Sequence, residues 1–357
     1  MSPSQQSDCL VSADQTGTAV DFGRALLEPL GFVLSDCEML QSAENDTFRI
    51  SLRSSSRNFQ DDSRFLLRVH GYQNSRSVDE ECDWLAHLKT VTSVPVPEPC
   101  RLFSAGWAGV VGGTGTHAGR AFSLLGWIPG KTMDSGRPDA VGFRRLGENA
   151  ARLHVAARSW PSARLAARPS WDAAGLFQGV NGFGSIDTAG WTAIPKNHHA
   201  QFRWAVGYLT HIFDELSASP GSIGLIHGDM HFGNAIGVED SLAIIDFDDC
   251  GTGFWVYDIA SSLRPWRFDR DWPKFKSAYC QGYESICELP RGIESLDAFI
   301  AARHLATTLW AASRGTTCAS LARSLPARLA KTKNAIAALL PVDSASQAPI
   351  ASMGDEP

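Results

Sequence analysis

Ile226-His227-Gly228-Asp229-Met230-His231-Phe232-Gly233-Asn234 is followed, after eleven residues, by Asp246-Phe247-Asp248-Asp249. The order is a carboxylate (Asp229), an amide oxygen (Asn234) and a second carboxylate (Asp246). Moving a phosphoryl group onto an alcohol asks for one carboxylate to orient the attacking hydroxyl and for further hard oxygens to hold Mg²⁺. Asp229 is therefore the candidate catalytic group, positioning the hydroxyl and accepting its proton late, without a strongly raised pKa. Asn234 and Asp246 are the candidate Mg²⁺ ligands. Asp248 and Asp249 are ambiguous between touching metal and a structural part.

The flanking residues place these groups. Ile223 to Ile226 is an apolar run ahead of the Gly-flanked turn that carries Asp229. Ala235 to Val238 and Leu242 to Ile245 read as two short strands around Glu239-Asp240, so Asn234 opens one strand and Asp246 closes the other at the same end of a hairpin. His227, Asp229 and His231 also form a His-x-Asp-x-His run that could ligate zinc or iron. That alternative leaves Asn234 and Asp246 unexplained.

With 357 residues the chain exceeds the roughly 250 to 300 at which single cores stop growing, so two lobes are expected. The net charge is −6 with Lys and Arg scattered, which excludes the basic stripe of a nucleic-acid binder. Eight cysteines without a Cys-x-x-Cys pair suggest neither a zinc knuckle nor a disulfide framework. The N-terminus lacks a basic region followed by an apolar run, and no stretch of about 18 apolar residues occurs. The reading is a soluble, cytoplasmic protein without a membrane partner.

Residues 1–16 and 341–357, rich in Ser, Ala, Pro, Gln and acids, are expected to be disordered tails. Phe22, Leu26, Leu27 and Leu30 have helical spacing. Cys37 to Gln41, Phe48 to Leu52 and Phe65 to Val69 read as strands of a small antiparallel sheet. Val78, Cys82, Leu85 and Leu88 line one face of a helix over 77–91, which Pro95, Pro97 and Pro99 end. Leu102 to Val111 and Ala121 to Trp127 are further strands, around a Gly-rich turn at 112–119. The boundary falls at Ile128-Pro129-Gly130, giving an N-lobe at 17–127 and a C-lobe at 128–340. The C-lobe pattern is mostly helical: 141–157, a polar and Gly-rich excursion over 162–195, 202–216, 256–264, 272–286 and 296–312. Gly126 to Thr132 is one residue too short for a phosphate-binding P-loop, and Gly112-Gly113-Thr114-Gly115 lacks the third glycine of a dinucleotide fingerprint.

His227-Gly228-Asp229, His231, Asn234, Ile245-Asp246-Phe247-Asp248 and Tyr257-Asp258-Ile259-Ala260 together resemble the aminoglycoside and choline phosphotransferase family, a small-molecule branch of the protein-kinase-like fold. The resemblance runs from about Leu26 to Arg314. It implies a two-lobed α+β fold, with a small antiparallel-sheet N-lobe carrying one main helix and a larger, mostly helical C-lobe. It implies ATP and Mg²⁺ as cofactors. In that family a cation on the third strand contacts the α and β phosphates. Arg68 has that place here, with Glu81 on the next helix as its ion-pair partner; a guanidinium can bind phosphate bidentately. By the same resemblance the phosphate-covering turn is Ser42-Ala43-Glu44-Asn45, and Ser123 to Gly126, with Ser123 and Leu125, supplies backbone contacts to adenine. His227 and Asp258 brace the catalytic loop.

The expected activity is transfer of the ATP γ-phosphoryl group to a hydroxyl of a small molecule. Arg264, Arg267, Arg270 and Arg303, with Trp255, Trp266, Trp272 and Trp310, favour a neutral or anionic small alcohol over a polycationic aminoglycoside. The alternatives are a bacterial Ser/Thr protein kinase of the stress-response type, with a protein as substrate, an aminoglycoside resistance kinase, and a non-catalytic nucleotide-binding protein.

Overall fold

The computed structural model describes residues 21, 23–28, 33–42, 45–53, 63–71, 73–101, 108–110, 119–161, 166–179, 189–315 and 318–340. The expected tails, Phe22, Leu30, Ala43-Glu44, the turn at 112–118 and much of the 162–195 excursion lie outside the described residues. Two compact units emerge, one drawn from Met1–Trp171 and Pro220–Arg291, the other from Asp172–Ser219 and Gly292–Pro357.

The first unit begins with β1 (Val33–Ser42), β2 (Asp46–Arg53), β3 (Ser63–Val69), β4 (Ala108–Val110) and β5 (Ala121–Gly126). They form an antiparallel sheet in the order β1-β2-β3-β5-β4. Alternation decides which face is dry: Phe48, Ile50 and Leu52 on β2 and Phe65, Leu67 and Val69 on β3 bury with Leu27, Cys37, Phe122 and Leu124. Arg68, between Leu67 and Val69, therefore belongs to the opposite face. The helix Ser75–Val91 starts where Asn74 accepts the Ser77 N–H at 2.9 Å and buries Val78, Cys82, Leu85 and Leu88 as expected.

The rest of this unit supports the turns. Helix Ala140–Ala157 packs on helix Trp272–Glu284 so closely that a Cβ on Gly147 would lie 2.1 Å from the Tyr279 carbonyl oxygen. Three further strands pair as a small sheet: β6 (Ser170–Trp171), β7 (Ile223–Ile226) and β10 (Gly251–Phe254). Between the last two, β8 (Ala235–Val238) and β9 (Ser241–Ile244) make the expected hairpin. Helix Trp255–Leu263 follows β10 and is buried throughout.

The second unit is helical. Helix Leu296–Arg314 is buried along most of its length, and Phe299 stacks on Phe213 of helix His199–Ser217 with ring centroids 4.8 Å apart. A further helix, Ala319–Ala337, pairs with it through a Thr308–Thr332 hydroxyl contact of 2.8 Å. The sequence pattern did not give this last helix. Pro326 falls inside it, and its buried face is only Leu329, Thr332, Ala335 and Ile336. Among the described residues, no helix is long and apolar enough to cross a membrane.

Candidate active site

Asp229 lies on the turn after β7, and that turn is held from below. The Asp258 carboxylate, fully buried at the start of helix Trp255–Leu263, accepts the backbone N–H of His227 and of Gly228, each at 2.8 Å. It also meets His154 Nε2 at 3.2 Å, while His154 Nδ1 meets the Tyr283 hydroxyl at 2.8 Å. A carboxylate only accepts, so His154 donates from Nε2 to Asp258 and, as a neutral ring, accepts the Tyr283 O–H on Nδ1. Gly228 has φ +83°, and a Cβ there would sit 2.5 Å from the Asp249 carbonyl oxygen. Only glycine turns the chain so tightly against that neighbour.

His227 Nδ1 accepts the Asp229 N–H at 3.3 Å, and Nε2 donates to the Ile245 carbonyl at 3.1 Å. Both ring nitrogens are thus spent on backbone. His231 Nδ1 accepts the Gly233 N–H at 2.9 Å, and its Nε2 lies 3.4 Å from Asp229 Oδ2. The His-x-Asp-x-His run braces its own loop, which argues against metal ligation by His227.

Asn234 ends the short 3₁₀ turn Phe232–Asn234. Its side-chain N–H donates to the Asp229 carbonyl at 2.9 Å, and its own carbonyl accepts the Ile245 N–H at 2.9 Å. With Nδ2 spent, Oδ1 is the atom left to a ligand. Asp246 follows β9 in the left-handed region, φ 65° and ψ 63°. For a residue with a Cβ that conformation costs about 1–3 kcal/mol and persists only where neighbours impose it. Its side chain is 44% exposed, and Oδ1 accepts from Arg68 Nη2 at 2.7 Å.

Arg68 is the centre of the charge distribution. Besides Asp246, its Nη1 lies 3.6 Å from Glu81 and 3.8 Å from Asp248. That nitrogen is buried and makes no hydrogen bond, nor do the two Glu81 oxygens. Burial alone would lower the arginine's pKa; Asp246, Asp248 and Glu81 more than reverse it and hold the guanidinium charged. Burial pushes the Glu81 carboxyl up, against the pull of Arg168 and Arg68.

Asp248 faces the sheet. It accepts from Asn45 Nδ2 at 2.7 Å and Gln73 Nε2 at 2.8 Å, and meets His70 Nδ1 at 3.1 Å; His70 Nε2 in turn meets Ser123 Oγ at 3.2 Å. Burial opposes its ionisation, but His70, Arg68 and Arg168 hold its carboxyl well below the ordinary range. His70, Glu81 and Asp248 have the mutual spacing of a metal site. Two guanidinium groups already neutralise them, so the cluster reads as an ion-pair network.

The structure thus brings Glu81 and Asp246 to Arg68 and Asn45 to Asp248, while Asn234 ties Asp229 to Ile245, the neighbour of Asp246. Ser42 pairs with Asp46, its Oγ donating to Asp46 Oδ1 at 2.6 Å. Ser123 joins through His70. Leu125 lies within β5 opposite Leu66, with the neighbouring Gly126 N–H already given to the Glu98 carbonyl at 2.7 Å. Trp255 and Trp266 are buried core side chains, the first against His154 and the second against Phe143 and Phe275. Arg168, inside the polar excursion, belongs to the site and carries no sequence signal: it touches residues about 80 to 95 positions away.

An antiparallel sheet with one helix, a braced Asp turn and a hairpin ending in a left-handed Asp define a protein of the kinase-like class. The family model described as the phosphotransferase enzyme family matches residues 38–299, and the chain belongs to that family. Among curated relatives, an uncharacterized protein of Synechocystis sp. is 29% identical over 63% of this chain and 60% of its own length. A homoserine kinase of Rhodopseudomonas palustris is 30% identical over 44% of each. The chain spans about half the length of the curated relatives it matches. Among solved structures, a microcompartment-associated aminopropanol kinase superposes with TM-score 0.70 at 24% identity, covering 88% of this chain and 96% of that one. The choline/ethanolamine kinase family protein of Mesorhizobium loti gives TM-score 0.57 at 15% identity over 90% and 95%. These structures show the fold, and the α+β kinase-like expectation holds.

Proposed function

We propose that this protein transfers the γ-phosphoryl group of ATP to the hydroxyl of a small amino alcohol or hydroxy amino acid. The observation that carries the reading is that Asn234 donates to the Asp229 carbonyl and accepts the N–H of Ile245, the residue before Asp246, with Arg68 paired to Asp246 at 2.7 Å. The acceptor class is supported by the names of its relatives: homoserine kinases, an aminopropanol kinase and a choline/ethanolamine kinase family protein.

Asp229 orients the acceptor hydroxyl and takes its proton as the new O–P bond forms and the bond to ADP breaks. The donor set suits a hard divalent cation: the spare Oδ1 of Asn234 and the half-exposed carboxylate of Asp246. Mg²⁺ held there would neutralise charge on the phosphates. Arg68 Nη1, buried without a hydrogen bond, is a donor in reserve for a phosphate oxygen, with Glu81 fixing the guanidinium. Ser42 and Asn45 flank the turn assigned to cover the phosphates, and Ser123 and Leu125 the strand assigned to adenine. The division at residue 128 into a nucleotide-side and a catalytic-side segment is part of the same proposal.

A screen of ATP consumption against homoserine, aminopropanol, ethanolamine, choline, a kanamycin-type aminoglycoside and a generic protein tests this. Turnover with one of the small amino alcohols or with homoserine is expected. Phosphate on protein alone, or on the aminoglycoside alone, would overturn the acceptor class; no consumption with any acceptor would overturn the activity.

A further inference from the structure

We propose that Arg168 is a positioning residue for nucleotide binding, fixing the Asp246 turn to the helix that carries Glu81. The proposal rests on the functional reading above.

Arg168 has a fully buried side chain and spends its guanidinium on two elements at once. Toward the turn, Nε donates to the Cys250 carbonyl at 2.8 Å, and Nη2 donates to the Phe247 carbonyl at 3.1 Å and to the Asp248 carbonyl. Toward the helix, Nη1 donates to Gln73 Oε1 at 2.7 Å and to the Ser77 carbonyl and Oγ, each at 3.2 Å. Its charge is set against Glu81 Oε2 at 3.6 Å. Gln73 doubles the link, donating from Nε2 to both the carbonyl, 2.7 Å, and the carboxylate of Asp248.

Three of the four carbonyls that follow Asp246 are therefore pinned by one planar, five-donor group. The left-handed backbone at Asp246 is the strained point of the site, and such a conformation needs its neighbours over-determined. Arg168 supplies that determination from behind the turn. It also makes Glu81 the shared anion of two guanidinium groups, so Arg168 is coupled to Arg68 through that carboxylate. A lysine keeps the charge for Glu81 but has three donors on one point, too few for carbonyls on one side and Gln73 and Ser77 on the other.

The test uses the full chain with Arg168→Lys, Arg168→Met and Gln73→Leu. Mn²⁺·ATP binding is followed by Mn²⁺ paramagnetic resonance, beside steady-state kinetics on whichever acceptor turns over and a thermal melt. The expected result is a rise of tenfold or more in the Kd for Mn²⁺·ATP in Arg168→Lys and Arg168→Met, with a smaller rise in Gln73→Leu. The acceptor KM should stay within about twofold of wild type. A lower Tm with unchanged Mn²⁺·ATP affinity would mean a merely structural arginine and overturns the proposal. If Arg168→Met does not fold, Arg168→Lys and Gln73→Leu decide between the same two outcomes. Failure of the wild-type protein to bind Mn²⁺·ATP overturns the functional reading, and this inference with it; equal binding by wild type and variants overturns this inference alone.

Discussion

The side-chain amide of Asn45 donates to the carboxylate of Asp248 at 2.7 Å, across 203 residues of sequence. The same amide oxygen accepts the Gly71 N–H at 3.0 Å, so one side chain ties the β1–β2 turn to the end of β3 and to the turn that follows Asp246. Asn45→Ala removes both ties and leaves His70 and Gln73 on Asp248. Affinity for a fluorescent ATP analogue should fall about fivefold, the equivalent of about 1 kcal/mol for one partly exposed hydrogen bond. Asn45→Asp sets a second carboxylate against Asp248 and should weaken binding further. Unchanged affinity in both variants would remove Asn45 from the nucleotide end of the site.

Asp258 predicts a stability effect where Asn45 predicts a binding effect. Its two oxygens satisfy two consecutive buried backbone N–H groups, and truncation would leave both without a partner and His154 without its acceptor. Asp258→Ala should cost about 3 kcal/mol, from about 1–3 kcal/mol for each orphaned group. Asp258→Asn keeps one carbonyl oxygen and should cost less. Urea unfolding at neutral pH measures both, and an Asp258→Ala midpoint equal to wild type would show that the loop is held some other way.

How much of this was readable in the sequence depends on the range of each interaction. The β2 and β3 strands announce themselves by alternation, Phe48-Ile50-Leu52 and Phe65-Leu67-Val69, and Asp229, Asn234 and Asp246 by a spacing contained within one loop and hairpin. The β6-β10-β7 sheet has strands of two to four residues, too short for a period to register. Asp248 was ambiguous because its acidity says nothing of partners at Asn45, His70 and Gln73. Arg168 was invisible for the same reason: a buried arginine that reads carbonyls 80 residues away leaves no local pattern, and it stands in a stretch whose glycines and polar residues suggest only a loop. Trp255 and Trp266 erred the other way, since aromatic residues near arginines suggest a pocket while packing made them core.

The two carboxylates of the phosphoryl-transfer reading should fail differently. In the proposed reaction Asp229 acts on the acceptor, so Asp229→Ala should lower kcat by about 10²–10⁴-fold and leave Mn²⁺·ATP affinity within about twofold. In the same proposal Asp246 faces the nucleotide, so Asp246→Ala should weaken Mn²⁺·ATP binding as well as turnover. Asp246→Ala also frees Arg68 Nη2 from its 2.7 Å partner, so ATP without a divalent ion should bind no worse than to wild type. Retention of full activity by Asp229→Ala would sink the assignment of the catalytic group.

The remaining prediction concerns pH and lies apart from the catalytic turns. Arg137 donates to both oxygens of Asp269, at 2.9 and 2.7 Å, and to Asp271 at 2.7 Å, with its guanidinium over the Trp266 and Phe275 rings. Hydrogen bonds from Arg137 and then from the Asp271 backbone hold the Asp269 carboxyl below its ordinary value. A folded-state pKa that is depressed contributes stability above the unfolded value, about 3.9, and that contribution is lost as pH falls through the folded value. The effect is small because the groups are solvent-screened. The difference in urea midpoint between wild type and Asp269→Asn should therefore be constant from pH 7 to about 5, narrow below about pH 4 and vanish once Asp269 is protonated in both states. High salt should shrink it at every pH. A difference that persists undiminished at pH 3 would show that Asp269 acts there by shape and not by charge.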